Sequence, residues 1–239
     1  MRSPTKALIR KECSLLFGNS DFISSYTGLV ILQPVLTYLI VSTMNVIFTS
    51  GSMAYYFAMV PLSTPSLDIL LIVLIMLVIS SGANSYISVE KNSLRIVKTI
   101  PISAKKQIGI KLLIPFAISF ASLFISIVVL LVTGKITLLI GILSLIISVV
   151  LLIDFSLVSL FEELHIRRNA PRNNLLSNLI SYVMPFVCFF IAVIFSLLEI
   201  SNYVTLFVVL VLLALITIPC VYHLSKRIEH NFLELEVIN

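Results

Sequence analysis

Few side chains in this chain are suited to chemistry, and they lie at scattered places. Residues 162–167 read Glu-Glu-Leu-His-Ile-Arg, two adjacent carboxylates with an imidazole and a guanidinium close behind. Paired carboxylates activate water as a general base when histidines from other segments assist. The only histidines downstream are His223 and His230. The simpler reading of Glu162, Glu163, Arg167 and Arg168 is a helix end whose opposite charges pair across one turn at the surface. Asp154 stands alone inside an apolar run, and a carboxylate there is a candidate intramembrane polar site. Asp68 stands at the start of another such run, where water is expected to reach it. Cys13, Cys188 and Cys220 are far apart and show no CxxC or Cys/His spacing. They read as small apolar residues rather than a disulfide framework or a zinc site. No GxxxxGK[ST] phosphate loop is present: Gly134-Lys135 lacks both the upstream glycine and the hydroxyl residue. The chain therefore carries no cofactor site of its own.

Composition says where such groups must be held. Of 239 residues, 59% are hydrophobic and 11% charged, and the mean hydropathy is +1.13. A soluble domain carries about 25% charged residues. These values exclude a disordered chain, a nucleic-acid-binding domain and an ordinary soluble enzyme. They predict an all-α integral membrane protein, since a membrane span needs roughly 20 apolar residues.

Six apolar segments fit that length: residues 22–48, 67–89, 112–132, 136–161, 179–198 and 203–222, in a single transmembrane domain covering 1–239. Pro34, Pro115, Pro185 and Pro219 fall inside them, which membrane helices tolerate because neighbours satisfy the freed carbonyls. Residues 1–21 mix Leu8, Leu15 and Leu16 with Lys6, Arg10, Lys11 and Glu12. This reads as an amphipathic helix along the membrane surface with an imperfect apolar face, because Lys11 and Glu12 fall close to Leu8 and Leu15.

The basic residues sort sharply between the two sides. The N-terminal segment holds Arg2, Lys6, Arg10 and Lys11, and the tail holds Lys226 and Arg227. The second-to-third connection holds Lys91, Arg95, Lys98, Lys105, Lys106 and Lys111; the fourth-to-fifth holds Arg167, Arg168 and Arg172. The alternate connections contain only Lys135. The positive-inside rule places both termini in the cytoplasm. Topology accounts for the net charge of +5 without a nucleic-acid partner. No cleavable signal peptide is evident, and the first apolar run is expected to stay in the membrane as a span.

The connection at 90–111 carries the most pattern. Ser93, Leu94, Ile96, Val97 and Ile100 alternate with Lys91, Arg95 and Lys98 at helical spacing, and Pro101 ends the run. Two readings stand. One is a short helix fitting a groove on a cytosolic partner; the other is a basic loop that sets topology and touches anionic lipid.

Ser88, Glu90, the helical stretch with Arg95 and Lys98, Pro101-Ile102-Ser103 and Lys111 resemble the coupling-helix region of six-span ABC exporter permeases (the ABC-2-type family). Lys11-Glu12 in a basic amphipathic opening is similar to that family's N-terminal segment. The resemblance implies a permease subunit that pairs with a second one, as homo- or heterodimer, and rests on cytosolic ABC ATPase subunits that bind ATP and Mg. It further implies that Glu90, Ser93, Leu94, Arg95, Ile96, Val97, Lys98 and Pro101 form the ATPase-coupling site, that membrane lipid surrounds the chain, and that it resides in a bacterial inner or plasma membrane. A hydrophobic or amphipathic cargo such as a peptide, antibiotic or lipid-like molecule follows from the apolar spans. The family's outer re-entrant segment has no room in the short connection at 199–202. Glu162, Glu163 and Arg167 also resemble the EExxxR signature of intramembrane CAAX-type proteases, but His223 lacks the Phe of the companion FxxxH element. A non-catalytic membrane scaffold or immunity protein is the third alternative.

Overall fold

The computed structural model describes residues 4–18, 20–50, 54–55, 59, 63–83, 102–166, 183–198 and 202–234. They form helices: α1 Pro4–Gly18, α2 Ser20–Thr49, α3 Ser63–Ala83, α4 Ala104–Val132, α5 Leu138–Ile166, α6 Met184–Leu197 and α7 Asn202–Glu234. α2, α4, α5 and α7 contain stretches long and apolar enough to cross a membrane, while those of α3 and α6 (Thr64–Ser80 and Met184–Phe195) are shorter. The architecture is that of an all-α, multi-span membrane bundle.

Its surface is inverted relative to a soluble protein. Leu139, Phe207, Leu215 and Ile218 face outward, each about two-thirds exposed. Ser80, Ser122, Ser126, Ser144 and Ser148 are buried. Apolar contact between helices gains nothing over contact with lipid tails, so close packing and interhelical hydrogen bonds set the interior. Ser122 Oγ donates to the Leu29 carbonyl of α2 at 3.0 Å, and Ser80 Oγ lies 3.5 Å from Ser119 Oγ across α3 and α4. Gly141 lets α5 approach α4: a Cβ there would lie 3.3 Å from Ile127 Cγ2.

α2 packs on α3 and α4, α5 on α3, α4 and α7, and α6 between α3 and α7. Val41, Met76, Leu123, Leu130, Leu151 and Leu213 bring five helices into one core. A Schellman turn ends α4, in which Lys135 N–H donates to the Leu130 carbonyl and Gly134 N–H to that of Leu131. Gly134 takes the left-handed φ of 66° that this turn needs.

The helices depart from the expected segments mainly on the basic face. α4 begins at Ala104, so Lys105, Lys106 and Lys111 are helical rather than part of the connection, and α7 runs on past Tyr222 to Glu234. Hydropathy marks the apolar slab, whereas backbone hydrogen bonding carries a helix onward wherever its sides find packing. Leu224, Ile228 and Phe232 supply that packing at four-residue spacing.

Candidate functional site

The proposed coupling residues Glu90, Ser93, Leu94, Arg95, Ile96, Val97, Lys98 and Pro101 lie outside the described residues, as do Arg167, Arg168 and Arg172. The described part of the basic face is the platform beside them. α1 lies against α2 and α4. Leu8 and Glu12, one turn apart on α1, both face inward at 3% and 6% exposure. The imperfection in the apolar face is thus a carboxylate turned into the protein. Lys111 of α4 meets it, with Nζ 3.0 Å from Glu12 Oε1 and both side chains buried. Two charges withdrawn from water hold each other only if they remain paired, because removing one strands the other.

One turn before Lys111, Gln107 is buried and its Nε2 donates to the Ile102 carbonyl at 2.9 Å. The Gln107 and Lys106 N–H groups donate to the Ser103 carbonyl. Ser103 itself makes no side-chain cap, so the glutamine fixes the backbone that enters α4. At the far side of the platform, Lys105 Nζ reaches Glu229 Oε2 of α7 at 3.4 Å. The lysine is largely exposed, and such surface pairs contribute little. Together these contacts gather α1, the base of α4 and the end of α7 on one face.

Asp154 lies between α5 and α7 at 1% exposure. Thr217 Oγ1 is 2.8 Å from Asp154 Oδ2 and also 2.8 Å from the Leu213 carbonyl. One hydroxyl proton therefore has two acceptors in reach. Among the described residues, Asp154 Oδ1 has no hydrogen-bond partner. The partner of Oδ2 among the described residues is a threonine on α7. An orphaned carboxylate oxygen inside a membrane bundle can accept a proton or a hydrogen bond from a passing polar group.

Two expectations are corrected. Asp68 is not water-accessible: it is 3% exposed, because α2 packs over it, and the Asn45 side chain hydrogen-bonds to it. Glu162 is not on an exposed turn: at 9% exposure it faces the interior near the end of α5. Of the cysteines, Cys188 is buried, while Cys13 and Cys220 are partly exposed. Among the described residues, no group of three or more His, Cys, Asp or Glu is arranged to hold a metal ion.

The sequence had singled out Asp154, and Lys111 as part of the coupling-helix resemblance, but did not pair Lys111 with Glu12. The available signal was Glu12, sitting where an apolar residue belonged. Comparison of the chain with protein-family models, curated proteins and solved structures finds no match.

Proposed function

We propose that this chain is the membrane permease subunit of an ATP-driven exporter. It works as a dimer of permease subunits, and its cargo is hydrophobic or amphipathic. Separate cytosolic ATPase subunits bind ATP and Mg and rest on α1 and on the connection at 90–101. The buried Glu12–Lys111 ion pair carries this reading. A helix lying on the membrane surface needs no buried charge to stay there; apolar contact and basic residues suffice. Joining it to α4 makes it a lever: displacement of α1 moves the span that follows the basic connection. Gln107 holds the entry to α4 by the same logic.

In this mechanism Leu94, Ile96 and Val97 enter an apolar groove of the ATPase, and Arg95 and Lys98 meet acidic groups at its rim. Ser93 starts that helix, Glu90 sets its entry from α3, and Pro101 ends it. Asp154 supplies an intramembrane polar group that takes up a proton.

The test is capture of the tagged full chain from its native membrane in mild detergent, with partners identified by mass. The expected result is a stoichiometric P-loop ATPase, lost when residues 91–100 are replaced by a Gly/Ser linker. Its absence would overturn the reading, as would normal transport by the combined Leu94→Asp and Val97→Asp variant.

A further inference from the structure

Opposite the basic face, α3, α5, α6 and α7 line a half-open cavity of about 510 Å³, within the range of small-molecule sites. Its lining is ordered along the bundle. Ser66, Thr137 and Thr205 lie in or just before the first turns of α3, α5 and α7. All three hydroxyl residues are therefore at the charge-poor end. Val73, Ile147 and Pro185 line the deeper part, and Ala192 lies between them and the hydroxyl end. Ile147 is ten residues beyond Thr137, about 15 Å further in at the helical rise. Among the described residues, no Asp, Glu, Lys, Arg or His side chain lines the cavity.

We propose that this cavity binds a single-tailed amphiphile with an uncharged, hydroxyl-bearing head. The tail lies among α3, α5 and α6, and the head meets Ser66, Thr137 and Thr205. Three features favour this occupant. The polar groups are confined to one end, so the ligand has one polar end. They are hydroxyls, which both donate and accept, so they match a hydroxyl head. Among the described residues no cation lines the cavity, so an anionic head would find no charge partner there. As an identification of cargo, the proposal deepens the permease reading and rests on it; the binding itself does not require the ATPase.

The experiment uses the purified full chain in phosphatidylcholine nanodiscs and a monoacylglycerol bearing a diazirine in its tail. Labelled positions are mapped by mass spectrometry. The expected result is labelling concentrated at residues 140–147 and at Ala192, exceeding that at outward-facing Leu215 and Ile218. Ala192→Phe should reduce cavity labelling about tenfold, equivalent to about 1.4 kcal/mol, and leave labelling at Leu215 unchanged. Leu143→Phe, which fills the cavity from α5, should do the same and guards against a local fault in α6. Unlabelled monoacylglycerol should compete; a fatty acid or a phosphatidic acid should not. Equal labelling of cavity and outer surface would mean surrounding lipid only and would overturn the proposal. Equal competition by the anionic amphiphiles would overturn the head-group assignment. Successful labelling without a captured ATPase would retain the site and remove the exporter reading; failed labelling with the ATPase captured would do the reverse.

Discussion

The two halves of the bundle are held by different means. Around α1, α2 and α4 the contacts are polar and specific: Glu12 with Lys111, Ser122 with the Leu29 carbonyl, Gln107 with the Ile102 carbonyl. Around α3, α5, α6 and α7 the contacts are mostly aliphatic, with a cavity among them and, among the described residues, two half-partnered carboxylates, Asp68 and Asp154. Directional bonds keep one helix from sliding on another. Aliphatic surfaces allow small displacements at little cost, as in shear motion. Under the proposed function, the first half transmits displacement and the second yields and accommodates a guest.

Four substitutions break or sharpen that contrast. Glu12→Ala removes the carboxylate that faces the buried Lys111 ammonium and should cost about 3–5 kcal/mol, read as loss of thermal stability of the purified protein. Replacing both Glu12 and Lys111 by Met should recover most of the loss; a double variant as unstable as the single one would show that the pair is not a unit. Gly141→Leu drives bulk into the α4–α5 contact and should cost about 1–3 kcal/mol. An unchanged melting temperature would show that α5 yields there as well. Gly134→Val puts a β-branched residue in a left-handed turn and should cost about 1–2 kcal/mol. The smallest effect on stability is expected for Asp154→Asn. Thr217 keeps its bond to the Leu213 carbonyl, so stability should stay within about 1 kcal/mol. Transport should nevertheless be lost, because the ionisable group is gone. A variant that transports normally would reduce Asp154 to a packing residue.

How much of this was readable beforehand differs between elements. The apolar cores of α2, α4, α5 and α7 are plain in hydropathy. The helical extensions at 104–111 and 223–234 are not, because charged residues mask helices that run on past the apolar slab. Asp154 announced itself as a carboxylate in an apolar run, but Thr217 did not, since threonine is unremarkable in a membrane helix. Asp68 was misplaced because nearness to a segment end says nothing about what packs over it. Glu12 and Lys111 are 99 residues apart, and although each stood in a stretch that the sequence singled out, nothing in the sequence joined them.

By itself, the sequence determined the largely apolar character of this protein, the approximate positions of its long apolar helices α2, α4, α5 and α7, and the clustering of its basic residues between apolar segments. Those properties follow from transfer free energies and charge counts, which are local and add along the chain. Tertiary structure alone decided that Glu12 meets Lys111, that Thr217 meets Asp154, and that four helices leave a cavity with hydroxyls at one end. Partners across helices depend on rotation and register, and a turn of 100° per residue separates an inward serine from one facing lipid.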